Sequence, residues 1–294
     1  MQTEKTYAVF WGCQIPARII NIEAATRRVL AHFKINLREI DGASCCPEPV
    51  VCALLDREVW VGLAARNIAL AENLGLDMMT VCNGCYETLF EANHLLKEDE
   101  NLRNHVNDVI IPLGKKFTGK IEVKHVVEIL HNDIGVKMIK DSVSKPLTNL
   151  NVALHPGCHL FRSKTPYDAA RKPEMFEAIV RATGANIVPY NLERMCCGYP
   201  NRMASEEISL KEMLATKLER VIEVNADCIV LTCPACDLQF EYGQIELKRK
   251  YNLDYKVPVI HVLELIALSL GINSKEFGLE FHKIPVSKIL EKLR

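Results

Sequence analysis

The sequence has almost no net charge to offer. Its 36 lysines and arginines stand against 37 aspartates and glutamates, for a formal charge of -1, so neither nucleic acid nor a strongly charged surface is expected as its main partner. It has no apolar run of about 18 residues, which argues against a membrane span. Its first residues, Met-Gln-Thr-Glu-Lys, carry a charge pair and lead straight into a strand-like segment, so no export signal is expected and a cytoplasmic location is. There is no G-x-G-x-x-G for a flavin or nicotinamide. The run C-x-x-C-x-x-C-x-x-x-C-P, which supplies ordinary cubane iron–sulfur clusters, is also missing. Any electrons the chain uses must therefore arrive from another protein.

What the chain does have is twelve cysteines in 294 residues. Without an export signal they suit metal or redox chemistry better than a disulfide framework, because reducing compartments do not keep structural disulfides. Ten fall into one pattern written twice. Cys13 is followed after 31 residues by Cys45-Cys46 and after 35 more by Cys82-x-x-Cys85. Cys158 is followed after 37 residues by Cys196-Cys197 and after 35 more by Cys233-x-x-Cys236. Such a recurrence marks an internal repeat. Cys52 and Cys228 lie outside it among apolar neighbours and read as buried thiols.

A chain that is 49% hydrophobic can bury a substantial core, and its length suggests roughly two domains. The segments alternate between strand and helix. Tyr7–Trp11 reads as a buried strand ending at Gly12-Cys13, and Ile35–Ile40 as a second that stops before Cys45-Cys46. A long helix is expected over Ala53–Leu74, with Leu55, Val59, Leu63, Ile68 and Leu70 near one side and Gly75 closing it. Met78–Val81 delivers Cys82 at its end, and Tyr86–Leu96 resumes a helix. Asn151–Leu154, Asn186–Tyr190 and Ile229–Thr232 repeat the order, with helices near Met175–Ala182 and Glu206–Val224. The fold class is therefore α/β, two pseudo-symmetric repeats, each a parallel sheet with flanking helices and its cysteines at strand carboxyl ends. Residues 98–149 read as charged and irregular apart from one strand near His125, and the boundary falls between 1–145 and 146–294.

Three strands would bring five thiols together in each repeat. Helix N-termini beside them favour thiolate, the form that binds metal. A structural zinc takes four ligands and would leave one thiol over. A C-x-x-C alone could be thioredoxin-like, which leaves the adjacent pairs unexplained. Iron–sulfur clusters are thiolate-bound, and a fifth thiolate becomes useful where irons are bridged or the cluster is not a simple cube. His125 and His261 each end a strand, and His155 and His159 flank Cys158. Each could support a ligand by hydrogen bonding or supply a proton, but helix capping is the stronger reading for His125 and His261.

The two C-x(31-39)-C-C-x(35-36)-C-x-x-C blocks resemble the cysteine-rich CCG domain. With Val81-Cys82-Asn83-Gly84-Cys85-Tyr86 and Leu89-Phe90-Glu91-Ala92-Asn93-His94, the chain resembles the B subunits of heterodisulfide reductases over nearly its full length. The resemblance implies two noncubane [4Fe-4S] clusters, one on Cys13, Cys45, Cys46, Cys82 and Cys85, the other on Cys158, Cys196, Cys197, Cys233 and Cys236. It implies reduction of the mixed disulfide of coenzyme M and coenzyme B, a small-molecule substrate, to two thiols in methanogenesis. The implied partners are a ferredoxin-like C subunit and a flavin-containing A subunit, with a hydrogenase or formate dehydrogenase behind them. Pro47 follows the first pair where Gly198 follows the second, a departure from the family pattern that could alter the shape of the first cluster. Two other readings stand beside it: an iron–sulfur subunit of a lactate, glycolate or succinate oxidoreductase, and a non-catalytic electron-transfer subunit.

A sulfonate and a phosphate on the implied substrate call for cations near the strand ends. Arg18, Arg162, Lys164, Arg194 and Arg202 lie within a few residues of pattern cysteines and are the candidates. The pattern carries its own test. Alanine at Cys52 or Cys228 is expected to leave the metal content of anaerobically prepared protein unchanged, whereas serine at Cys196 or Cys197 depletes it; metal loss from either outlier would show the pattern wrongly drawn.

Overall fold

The computed structural model describes residues 4–160 and 172–293. Two four-stranded sheets form, and every pairing within them is parallel. The first holds β1 (Lys5–Phe10), β2 (Ile35–Glu39), β3 (Met78–Thr80) and β4 (Val123–His125) in the order β2-β1-β3-β4. The second holds β5 (Asn151–His155), β6 (Asn186–Ile187), β7 (Cys228–Leu231) and β8 (Val259–His261) in the order β6-β5-β7-β8. The cysteine repeat is thus a repeat of topology. The strand order reverses beside β1 and β5, and at such a point the connections leave to opposite sides and open a crevice past the strand ends.

The inner strands β1, β3, β5 and β7 are covered on both faces, which explains why they are mostly apolar. Alternate residues serve two cores. Tyr7, Val9, Val152 and Leu154 enter one with the helices Ile20–His32, Lys172–Ala182 and Val262–Ser269. Ala8, Phe10 and Ala153 enter the other with Arg57–Glu72, Asn83–Glu98 and Pro234–Tyr251. Each core contains residues of both repeats, and Ile20–His32 packs directly on Val262–Ser269. The two sheets are therefore held together by shared apolar burial, worth about 1.5–3 kcal/mol for each large side chain withdrawn from water.

Three segments differ from the sequence expectation. The helix expected over Ala53–Leu74 is broken into Val51–Leu55 and Arg57–Glu72 at Asp56, whose carboxylate accepts from Val59 N at 3.0 Å and caps the second piece. Its buried side is Trp60, Val61, Ala64, Ala65 and Ile68, while Leu55, Val59 and Leu63 are exposed. Small alanines at 64 and 65 let the helix approach the sheet closely, while Leu55, Val59 and Leu63 turn outward. Residues 98–149 are largely helical: Asp99 caps Glu100–Ile110 by accepting from Leu102 N, and Val106 and Ile110 are buried. The helix expected from Tyr86 begins earlier, at Asn83, so Cys85 sits in its first turn.

His125 and His261 end β4 and β8 and cap the helices that follow. Val127 N donates to His125 Nδ1 at 3.2 Å and Leu263 N to His261 Nδ1 at 3.3 Å, while Glu128 and Glu264 accept from the histidine backbones in reciprocal capping boxes.

Glu264 has a second task. The buried His282 ring meets Glu264 at 3.0 Å and Glu241 at 3.1 Å, and Asn21 of the first repeat donates to Glu264 at 2.9 Å. Burial disfavours the imidazolium, but the two carboxylates outweigh it and raise the pKa of His282 from 6.5 to about 11. The folded pKa lies above the unfolded one. This contribution to stability is therefore complete below about pH 6.5 and declines as pH rises toward 11. His282→Gln leaves two buried carboxylates without their cation, at an expected cost of about 3–5 kcal/mol near pH 6. Urea unfolding as a function of pH checks it: the parent is expected to lose stability between those pH values, and the variant to show a flatter dependence.

Candidate metal centre

Each pattern cysteine stands where a strand hands over to a helix or loop. Cys13 follows β1 through Gly12, and Cys158 follows β5 through Gly157; both glycines have positive φ, 70° and 71°. Cys82 is the residue preceding helix Asn83–Glu98, and Cys233 precedes Pro234–Tyr251, with Cys85 and Cys236 in the first turns. The backbone at Cys82 and Cys233 is extended, and both residues stand immediately before a helix.

The ten thiols form one continuous series of neighbours. Cys45 interacts with Cys46 and with Cys13, Cys46 with Cys85, and Cys85 with Cys82. In the second repeat Cys158 interacts with Cys196, Cys196 with Cys197, Cys197 with Cys236 at 3.4 Å, and Cys236 with Cys233. Cys82 and Cys233 interact with each other and so bring the two sets together. Protons are shared unevenly along this series. Hydrogen bonds from neighbouring thiols push Cys46, Cys196 and Cys233 down, and the same bonds push Cys45, Cys158, Cys197 and Cys236 up.

This donor set fits a thiophilic metal group. Each repeat gathers five sulfurs, and the burial of Cys46, Cys82, Cys85, Cys197, Cys233 and Cys236 makes adjacent thiolates costly unless a cation lies between them. Soft sulfur donors select zinc, copper(I) or iron–sulfur clusters over magnesium or calcium. Cys13 and Cys45 are exposed, and with Trp11, Glu39 and Ser44 they line a cavity of about 320 Å³ that opens the first set to solvent.

The other sequence candidates divide. His155 is buried, and an imidazole nitrogen lies within 4.8 Å of both Cys197 and Cys236 sulfurs. Burial and then the charge of Lys217 lower its pKa to about 3, so the ring is neutral. His159 pairs with Glu87 across the two repeats. Arg202 is committed to Glu246 and Glu206. Arg194 lines a cavity of about 500 Å³ beside the second repeat, and Arg18 is exposed. Arg162 and Lys164 lie outside the described residues. Cys228 is buried in β7 and Cys52 half-buried in Val51–Leu55, neither of them in the thiol series.

Sequence reasoning missed four neighbours of the site. Half-buried Tyr199 follows Cys197 by two residues, and burial raises the pKa of its phenol, on which Arg18, Cys13, Arg202 and Cys233 also act. Asn83 donates to Pro156 O at 2.7 Å and bridges the repeats, and buried Lys217 stands behind the second set. Gly12 was visible in the repeat as the partner of Gly157, since each precedes the first cysteine of its set. A Cβ at Gly12 would lie 2.7 Å from Cys85 Sγ, and one at Gly157 2.5 Å from Asn83 Nδ2 and 3.7 Å from Cys236 Sγ.

Comparison with known proteins agrees with the repeat. The cysteine-rich domain family profile matches twice, at residues 7–90 and 152–241. The B subunit of a ferredoxin:CoB-CoM heterodisulfide reductase from Methanosarcina mazei is 38% identical over 290 residues, 97% of this chain and 96% of its own. An 8-methylmenaquinol:fumarate reductase membrane anchor subunit from Wolinella succinogenes is 31% identical over 97% of this chain and 99% of its own. Among solved structures, a hypothetical protein from Helicobacter pylori superposes with a TM-score of 0.77 at 15% identity, over 96% of this chain and 52% of that one, a likeness of fold. Among the described residues no helix is long and apolar enough to cross a membrane.

Close approach at Gly12 makes a specific expectation. Gly12→Ala is strained by its positive φ and drives a methyl group into Cys85. It is expected to lose the metal of the first set and keep that of the second; metal analysis after anaerobic reconstitution checks it, and a full complement would refute the close-packing argument.

Proposed function

The chain belongs to the family of heterodisulfide reductase B subunits, which are cysteine-rich domain proteins, and from that premise we propose that it is the catalytic subunit reducing the coenzyme M–coenzyme B heterodisulfide in methanogenesis. The observation that carries this reading is the meeting of the two thiol sets at Cys82 and Cys233. On this reading residues 1–145 supply Cys13, Cys45, Cys46, Cys82 and Cys85 to one noncubane [4Fe-4S] cluster. Residues 146–294 supply Cys158, Cys196, Cys197, Cys233 and Cys236 to a second. Bound there, the two clusters would supply the two electrons that convert a disulfide into two thiolates, together with thiophilic iron beside each sulfur.

The remaining work falls to this chain's own residues. On this reading the ends of β3 and β7 bring the two sets side by side, and a disulfide bound at both would be addressed by both. Holding the two sulfurs in that arrangement fixes the reacting geometry in advance. Exposed Arg18 is the cation best placed for an anionic end of the substrate, because Arg202 is already neutralised by two glutamates. Tyr199, on whose phenol Cys13 and Cys233 both act, offers a hydroxyl for hydrogen bonding at the same place. Protons for the two product thiols come from solvent through the open side at Cys13 and Cys45. Electrons reach the site from a ferredoxin-like C subunit and a flavin-containing A subunit in the cytoplasm, coupled to a hydrogenase or formate dehydrogenase.

A second reading is favoured by the Wolinella relative: an iron–sulfur subunit of a fumarate-reducing complex. Single-turnover reduction of the heterodisulfide by the reconstituted chain separates the two. The parent is expected to hold about eight irons and to cleave the disulfide. Cys13→Ser and Cys158→Ser, each shown by iron analysis to lack one cluster, are expected to lose cleavage altogether. A rate near the parent's in either variant would reduce the missing cluster to a relay, and no cleavage by the fully loaded parent would favour the second reading.

A further inference from the structure

Lys217 is the one lysine or arginine that is fully buried among the described residues. It lies on helix Thr216–Glu223, and its ammonium donates to the carbonyl of Leu192 and, at 3.2 Å, to the hydroxyl of Tyr190, whose ring it also faces at 5.1 Å. Leu192 is in the loop that leads to Cys196-Cys197. Tyr190 packs in the same buried cluster as Cys197, Cys233 and Cys236, so the cation is held on the side of the second thiol set. Burial lowers its pKa to about 8, and the thiolates oppose that fall, which keeps it protonated at neutral pH.

The first repeat has a counterpart that does not do the same. Arg66 occupies the equivalent position, 20 residues past Cys46 as Lys217 is past Cys197. It too pins the loop before the cysteine pair, donating to Gly42 O at 3.0 Å. Yet Arg66 is only half-buried, whereas Lys217 is fully withdrawn from water. The equivalent of Tyr190 is Glu39, an exposed anion. A charge sealed from water acts far more strongly on its neighbours than one that solvent screens. His155 adds to the difference: it abuts the second set at the position that Phe10 fills in the first, as the strand registers Phe10–Thr80 and His155–Leu231 show.

We propose that Lys217 makes the two metal centres unequal, its buried ammonium stabilising the negative charge gained on reduction so that the second cluster accepts an electron at a higher potential than the first. The inference rests on the two-cluster reading above. One electron added to a cluster adds one negative charge, and the cation balances it without moving. The second repeat is then the first to be charged by a one-electron donor, and the more exposed first repeat is the stronger reductant of the two.

Potentiometric titration followed by electron paramagnetic resonance tests this on the loaded full chain, with dithionite as reductant and Cys13→Ser and Cys158→Ser proteins used to assign the signals. In the parent, the second cluster is expected to be reduced first. Lys217→Met is expected to lower the reduction equilibrium of the second cluster at least tenfold, about 59 mV for one electron, with the first cluster moving less. Lys217→Arg is expected to restore it, which a purely structural lysine would not predict. Should Lys217→Met fail to load its second cluster, Lys217→Gln takes its place, and the parent's order of reduction decides the question in any case. Reduction of the first cluster before the second, or an equal shift of both in the variant, overturns the proposal. Iron short of two clusters in the parent would strike the proposed function instead.

Discussion

Everything in this molecule depends on the repulsion that ten crowded thiols would feel if all were ionised. Two unit charges at the 3.4 Å that separates Cys197 and Cys236 repel by roughly 5 kcal/mol at an effective dielectric of 20. Thiolates buried this close together are stable only where a cation lies between them. Such an arrangement cannot hold itself together. It is held by elements anchored elsewhere, in two apolar cores that each draw on both repeats. The buried group of Asn21, Glu264, Glu241 and His282 ties the repeats again behind the second set. A folded protein whose packing keeps sulfurs close is preorganised for a cation that rewards closeness.

How much of this could be read in the sequence follows from how local each feature is. A metal ligand must be one residue type at one backbone position, so the cysteine spacings revealed the repeat and placed every pattern thiol at a strand end. The constant interval of 35 residues after each pair reflects the same passage of helix and short strand in both halves. His125 and His261 as caps were equally legible, because a capping box joins residues only three apart. The outward face of Arg57–Glu72 was not legible: alanine and leucine both satisfy a helical period, and which side meets the sheet is decided by how closely the backbones approach. Residues 98–149 hid their helices for a related reason. Asn107 looks like a surface residue, yet it is buried and bonds both N and O of Phe117, ten residues on, a polar contact that hydrophobic periodicity does not reveal.

The same distinction between local and distant causes explains where the two repeats have diverged. What is set by backbone geometry is kept: Gly12 and Gly157, the strand orders, the capping histidines. What is set by side-chain environment has changed: Phe10 against His155, Glu39 against Tyr190, half-exposed Arg66 against buried Lys217. Sulfur positions must match if both sets are to hold the same kind of group, so the topology admits little variation. The electrostatic surroundings answer to a different demand. On the proposed two-cluster reading, a two-electron reduction gains nothing from identical sites, because electrons would arrive one at a time and the first would have to wait somewhere. The second set, backed by the buried cation of Lys217, would be suited to hold that electron. A site with Cys13 and Cys45 open to solvent is suited to complete the exchange, and an internal duplication supplies both from one fold.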